Sequence, residues 1–66
     1  MQITLNGKNE NVESSTTLAQ MLSRRSIDPH AVVVEVNLDI IPRERLSAIA
    51  LREGDTVEIL RFVGGG

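Results

Sequence analysis

Hydrophobic and polar residues alternate with period two at the start of the chain, which predicts a β-strand with Ile3 and Leu5 on one face. An Asn-Gly pair at positions 6–7 predicts a tight hairpin turn, because both residue types tolerate positive φ. The returning segment, residues 8–13, is mostly polar and offers only Val12 to a core. We therefore predict an edge strand there, whose charges discourage pairing with other chains.

A short amphipathic helix is predicted next. Thr17 and Gln20 have the spacing of a capping box, in which each side chain bonds to the backbone of the other residue. The apolar stripe behind this pair consists of Leu18, Met21 and Leu22. We predict that the helix ends at residues 28–29, because a residue before proline avoids the α region.

The second half of the chain predicts three strands. Residues 31–36 are the most β-prone segment, with three valines on one face and Val33 and Glu35 on the other. A turn at residues 37–39 and a short strand at 40–41 follow, and Leu51 is expected to fill the core. The last predicted strand spans residues 56–63.

The order of these elements predicts an α+β roll. One main helix lies across a mixed sheet of four to five strands and covers its apolar face. A right-handed crossover places the last strand beside the first. We expect one domain at residues 1–63 and a flexible tail at residues 64–66.

Composition narrows the possible functions by exclusion. The 66 residues fit one domain, and the chain has no cysteine for a disulfide or a thiolate metal site. A net charge of −2 and a single aromatic residue, Phe62, argue against a nucleic-acid partner. Neither a signal peptide nor a membrane-spanning apolar run is recognisable, so we expect a cytoplasmic protein.

The glycine tail is the main candidate for chemistry. Gly64, Gly65 and Gly66 have no Cβ atoms, so such a tail can thread into a narrow enzyme channel. The carboxylate of Gly66 is unhindered, and a partner enzyme can activate it as an acyl-adenylate. The alternative interpretation is an ordinary frayed terminus.

The last predicted strand supplies a candidate docking surface. Leu60 and Phe62 fall on the face opposite Val57 and Ile59, and are exposed if the helix covers that other face. We predict that both residues dock a partner together with the neighbouring Arg61 and Val63. Alternatively, a twist or bulge near the strand end buries Phe62.

The remaining motifs offer no catalytic site. His30 has no serine, cysteine or acid at a recognisable catalytic spacing. The segment 43–45 (Arg-Glu-Arg) either docks acidic groups of a partner or forms a solvated turn with an internal ion pair. No phosphate loop or cofactor fingerprint is present, so we expect that the chain is not itself an enzyme and holds no metal.

A series of short motifs resembles the ThiS family, the thiamine-biosynthesis sulfur carriers with the ubiquitin-like β-grasp fold. In chain order they are Met1-Gln2-Ile3 with Asn6-Gly7, Thr17-Leu18 with Met21-Leu22, Val34-Glu35-Val36-Asn37, Ile41-Pro42-Arg43-Glu44, Gly54-Asp55-Thr56-Val57-Glu58-Ile59 and the glycine end. Molybdopterin sulfur carriers share the fold and the glycine end, but usually lack the Pro-Arg-Glu step. The family ends in Gly-Gly, so Gly65 and Gly66 match it, and Gly64 replaces a residue that often has a side chain.

The resemblance implies a defined chemistry. A partner related to ubiquitin-activating enzymes uses ATP and magnesium to adenylate Gly66, and a sulfur donor such as a cysteine desulfurase relay converts it to a thiocarboxylate. Thiazole synthase then takes the sulfur, while the carrier binds no cofactor and is a monomer when free. The alternatives are a ubiquitin-like protein modifier, a sulfur carrier for molybdopterin or tRNA thiolation, and a plain β-grasp interaction module.

Overall fold

The architecture is a mixed five-stranded sheet with one α-helix packed against one of its faces. The computed structural model describes residues 1–62. The elements in this range are β1 (Gln2–Leu5), β2 (Lys8–Asn11), α1 (Leu18–Arg24), β3 (Val32–Val36), β4 (Asp39–Ile41) and β5 (Thr56–Arg61). Two single-turn 3₁₀ helices lie at Pro29–Ala31 and Arg43–Arg45. The predicted α+β roll with one main helix is confirmed.

The first hairpin follows from its Asn-Gly turn. Asn6 and Gly7 have φ values of 48° and 83°, in the left-handed region that these residue types tolerate best. The turn places Leu5 opposite Lys8 in an antiparallel pair. β2 lies at the edge of the sheet, as predicted, but ends at Asn11 rather than at residue 13.

The helix begins as predicted and ends earlier. The Gln20 N–H donates to Thr17 Oγ1 (3.1 Å), and the Thr17 N–H donates to Gln20 Oε1 (2.9 Å), which completes the capping box. The predicted end at residues 28–29 is wrong, because Ser26 adopts a φ of 57° soon after the helix. The N–H groups of Ser26 and Ile27 return to carbonyls of the last turn, at 3.0 and 2.9 Å. This Schellman-type ending usually uses glycine, so a serine in that position gave no signal.

The sheet order β2-β1-β5-β3-β4 places the last strand at the centre. β5 runs parallel to β1, with Val57 opposite Leu5, and antiparallel to β3, with Ile59 opposite Val34. Parallel neighbours need a long crossover connection, and the segment containing α1 belongs to it. The prediction that the last strand lies beside the first is therefore confirmed.

The core lies between α1 and one face of the sheet. Leu51 is buried, as predicted, and Leu46 joins it from the connection between β4 and β5. The buried apolar residues are Ile3, Leu5, Leu18, Met21, Leu22, Val32, Val34, Leu46, Leu51 and Val57. Because the strand residues among them share one side of the sheet, we call that side the inner face and the other the outer face. Within residues 1–62, no helix or strand covers the outer face.

Candidate functional site

The candidate site is the outer face at the end of β5, where the chain leads toward the glycines. β3 holds this end in place, since Leu60 lies opposite Val33 and the Phe62 N–H donates to the Ala31 carbonyl at 3.1 Å. The ladder between the two strands therefore reaches Phe62, one residue beyond β5 itself.

Two turn asparagines fix the position of β5. Asn6 lies where β1 turns away, and its Oδ1 accepts from the Ile59 N–H at 2.8 Å. Asn37, in the β3–β4 turn, accepts from the Thr56 N–H at 3.0 Å and donates through Nδ2 to Asp55 at 3.1 Å. Both side chains therefore accept from backbone N–H groups of β5 that would otherwise need a longer neighbouring strand as their hydrogen-bond partner. As a result, hydrogen bonds to both turns hold β5 beyond the ends of its neighbouring strands.

Leu60 and Phe62 are exposed at this end of the sheet, at 47% and 61% of their full accessible surface. The predicted face assignment is therefore correct, and the alternative that a twist buries Phe62 is wrong. Arg61 lies opposite Val32, on the inner-face side of the alternation, and is also exposed because it sits at the end of the sheet. The structure thus brings Leu60 and Phe62 together on one face and separates Arg61 from them. The role of all three in docking stays a prediction.

The other predicted site residues lie outside the described part of the chain. They are Val63, Gly64, Gly65 and Gly66. Their roles in docking, threading and sulfur loading stay predictions, as does the division between domain and tail at residues 63 and 64.

Sequence reasoning missed a row of side chains that crosses the outer face. Ile40 in β4 lies opposite Glu35 in β3, and Glu35 lies opposite Glu58 in β5. These three residues form one row across three strands. Ile40 is 67% exposed, and Leu38 in the adjacent turn is 82% exposed. The alternation within each strand was readable from the sequence, but the register that joins three strands was not.

His30 lies in the 3₁₀ helix at Pro29–Ala31, next to the residue that caps this helix. The His30 backbone N–H donates to Asp28 Oδ1 at 2.9 Å, which lowers the pKa of the Asp28 carboxyl below its usual value. The His30 ring Nδ1 lies 3.3 Å from the same oxygen. Both side chains are largely exposed, and Asp28 acts as the N-cap of this 3₁₀ helix.

Arg43 lines a groove of about 520 Å³ between α1 and the second 3₁₀ helix. Its apolar walls include Leu22, Ile27 and Leu46. Neither ion pair within residues 1–62 involves the 43–45 segment, so the predicted internal ion pair is absent there. The possible docking role of this segment stays a prediction.

Within residues 1–62, no group of three or more histidine, aspartate or glutamate side chains is placed to hold a metal ion. In the same range, no helix is both long enough and apolar enough to cross a membrane.

Comparison with known proteins gives a consistent result. The model of the ThiS family matches residues 2–66. The sulfur carrier protein ThiS of Bacillus subtilis is 38% identical over 63 residues, which cover 94% of this chain and 96% of that protein. A thiazole synthase of Paramagnetospirillum magneticum is 36% identical over 66 residues. This second match includes the whole of this chain but only 20% of the relative, so the chain spans about a fifth of that protein's length.

A solved structure agrees with the sequence matches. The crystal structure of the thiamine biosynthesis protein ThiS from Geobacter metallireducens superposes with a TM-score of 0.83 at 35% identity, and each chain is covered completely. The β-grasp fold predicted from the sequence is thereby confirmed, as is the family resemblance. The chain belongs to the ThiS family.

Proposed function

We propose that this chain is a sulfur carrier protein of thiamine biosynthesis, which delivers sulfur for the thiazole ring. Its membership of the ThiS family, with a match that extends to Gly66, is the observation that carries the proposal. The exposed apolar pair Leu60 and Phe62 adds support, because it lies on the strand that leads into the glycine end.

The proposed chemistry takes place on the carboxylate of Gly66. A carboxylate oxygen attacks the α-phosphorus of ATP in a partner enzyme, which forms an acyl-adenylate and releases pyrophosphate. A persulfide of the donor relay then displaces AMP at the carbonyl carbon and forms an acyl disulfide. A second thiol of that partner attacks the S–S bond, which releases the thiocarboxylate on Gly66 and leaves a disulfide on the partner. This order is required because a free carboxylate is a poor acyl donor, whereas a mixed anhydride with AMP is a good one.

Two enzymes and a sulfur source are the proposed partners. The first enzyme is an adenylyltransferase related to ubiquitin-activating enzymes, which supplies ATP and magnesium and docks on Leu60 and Phe62, with Arg61 and Val63 at the rim. Gly64 and Gly65 then thread into its active site. The second enzyme is thiazole synthase, which accepts the sulfur, and the source is a cysteine desulfurase relay.

In this scheme the chain supplies a substrate group and its partners supply the catalysis. It needs no cysteine of its own, since the sulfur is bound to the terminal carbonyl carbon. A cytoplasmic location fits a carrier that meets ATP and a cysteine-derived sulfur donor, and it stays a prediction.

Intact-mass measurement of the protein from sulfur-replete cells tests the proposal. We expect a species in which one terminal oxygen is replaced by sulfur. Attachment of the chain to lysine side chains would instead indicate a protein modifier. An unmodified mass in the presence of a competent activating enzyme, ATP and sulfur donor would refute both functions and leave an interaction module.

Tail variants locate the loading site. Deletion of Gly65 and Gly66 should abolish sulfur loading and leave the thermal unfolding midpoint nearly unchanged. Gly64→Ala is the matched control, because it retains the Gly-Gly end and should still be loaded. A large fall in the midpoint after the deletion would mean that the tail is part of the folded structure.

A further inference from the structure

The Asn6-Gly7 turn contains the asparagine of this chain that is chemically most prone to deamidation. An asparagine loses its side-chain amide most readily when glycine follows it, because glycine has no side chain to hinder attack by its backbone nitrogen. The chain has four asparagines, and only Asn6 precedes a glycine. Asn6 is also exposed, so water reaches its side chain.

The reaction needs only water as a co-reactant. The Gly7 backbone nitrogen attacks the side-chain carbonyl carbon of Asn6, a C–N bond forms, and the side-chain nitrogen leaves as ammonia together with the former Gly7 amide proton. Water then opens the resulting succinimide ring at one of its two carbonyls. One opening gives aspartate. The other gives isoaspartate, in which the main chain runs through the former side chain.

The fold holds the Asn6 side chain in a different position from the one that this reaction requires. Its Oδ1 accepts from the Ile59 N–H at 2.8 Å, and its Nδ2 lies 3.5 Å from the Ile59 carbonyl oxygen. Ring closure requires the side-chain carbonyl carbon to rotate onto the Gly7 nitrogen, which breaks both contacts with β5. Because Asn6 is exposed, its protection comes from these contacts and not from exclusion of water.

We propose that Asn6 is a deamidation site that its contacts with Ile59 protect, and that isoaspartate at this position frees the end of β5. Deamidation then takes place when this end of the strand opens locally. The inference is independent of the proposed function, since it requires neither a partner enzyme nor the glycine end.

Isoaspartate removes two features that the folded chain needs here. It adds one carbon atom to the main chain of a two-residue turn that pairs Leu5 with Lys8, and such a tight turn has no room for it. It also removes the amide oxygen that accepts from the Ile59 N–H. The exposed pair Leu60 and Phe62 follows Ile59 directly, so it loses part of its support.

Asn37 is an internal control for the chemistry. Its φ of 51° is close to the 48° of Asn6, and its Oδ1 accepts from another N–H of β5, that of Thr56, at 3.0 Å. The residue that follows it is Leu38, whose side chain hinders ring closure. The two asparagines therefore share a backbone conformation and a type of hydrogen bond, and differ in the residue that attacks.

The first test compares ageing of the folded chain with ageing of the chain in guanidinium chloride at the same pH and temperature. Digestion at acid pH and mass spectrometry that distinguishes isoaspartate then locate the product. In the denaturant, Asn6 should deamidate much faster than Asn37. In the folded chain, Asn6 should react about tenfold more slowly than in the denaturant, since its contacts must break first.

Two results of this comparison would overturn the inference. An intact Asn6 in the denaturant would show that it is not a deamidation site. An equal or higher rate in the folded chain would show that the Ile59 N–H activates the amide carbonyl and does not protect it.

The second test measures hydrogen exchange by NMR on the isoaspartate form, which its added negative charge separates from the unmodified chain by ion exchange. The Ile59 N–H should exchange about tenfold faster than in the unmodified chain, because it has lost its acceptor. The Phe62 N–H should change less, since it donates to the Ala31 carbonyl on the other side of β5. Unaltered exchange at Ile59 would mean that isoaspartate does not free this end of the strand.

Two variants separate the lost acceptor from the lengthened backbone and the added charge. Asn6→Gly removes the side-chain amide but suits the turn, so it should raise Ile59 exchange without any deamidation at this position. Asn6→Asp, measured before ageing, keeps an acceptor oxygen and should leave Ile59 exchange close to that of the unmodified chain. Unaltered exchange in Asn6→Gly would show that Asn6 does not hold β5. Exchange in Asn6→Asp as fast as in the isoaspartate form would assign the effect to charge and overturn the role of isoaspartate.

Discussion

The two faces of the sheet follow different rules. On the inner face, Val32, Val34 and Val57 are buried against α1 and make the fold stable. On the outer face, the same strands present a glutamate pair and exposed apolar residues. The fold needs only one covered face, because three of the four strand pairs are antiparallel and such a sheet can leave its other face to solvent. The difference teaches that burial on one face stabilises the fold, whereas the side chains of the other face can vary without loss of the core.

This separation matters because the domain is small. A chain of this size buries only about 60% of the surface that its unfolded form exposes, so its stability margin is narrow. The positive φ of Leu38, a backbone conformation that leucine tolerates poorly, reduces that margin. Features that weaken a narrow margin are the ones most in need of a functional explanation.

The largest effect is expected from a cavity on the inner face. Ile3→Ala should lower the free energy of unfolding by about 2–5 kcal/mol, since it removes buried methyl and methylene groups from a site that is 2% exposed. Urea unfolding followed by circular dichroism measures the change. Leu60→Ala is the outer-face counterpart and should change stability by less than about 0.5 kcal/mol. Similar losses in both variants would abolish the distinction between the faces.

A charge placed on the outer face should separate binding from folding. Phe62→Asp should weaken capture by the activating enzyme by about 2 kcal/mol or more, the range of an interface hot spot, because it replaces an apolar anchor with a charge. The unfolding midpoint should stay close to that of the unmodified chain. Ala48→Asp adds the same charge in the connection before β5 and serves as the control. Unfolding of the Phe62 variant would show that this side chain belongs to the core.

Relief of strain at the hairpin tip should raise stability. Leu38→Asn should increase the free energy of unfolding by about 1 kcal/mol, because asparagine tolerates the left-handed region better than leucine. Chemical denaturation compares it with Leu38→Ala, which also removes the exposed apolar side chain but tolerates positive φ no better than leucine, and should therefore change stability little. A loss of stability in Leu38→Asn would mean that the leucine packs on the fold.

The smallest effect is expected at Asp28, away from both faces. Its pKa is lower in the folded chain than in the unfolded one, so its contribution is present near neutral pH and is lost as the pH falls through the folded pKa. Asp28→Asn should therefore reduce the unfolding midpoint slightly at about pH 6 and make no difference at about pH 2. Glu13→Gln provides the comparison, and an equal shift at both pH values would contradict this account.

Local patterns were sufficient for most of the fold. The period-two alternation located the strands, and the Thr17–Gln20 spacing located the start of α1. The end of α1 escaped prediction because Ser26 takes a conformation that serine seldom adopts. Exposure of Phe62 was a correct prediction, since the pairing of β5 with β3 is regular as far as Arg61 and continues to the Phe62 N–H.

The sequence by itself determined which side chains share a face within each strand, and it identified the glycine end and the family. Those properties depend on neighbouring residues and short motifs, which the chain carries wherever it folds. Only the tertiary structure decided that Ile40, Glu35 and Glu58 form one row and that Asn6 and Asn37 fix β5. These contacts join segments far apart in the chain. Their register depends on how the whole sheet assembles around its core, and no local pattern specifies it.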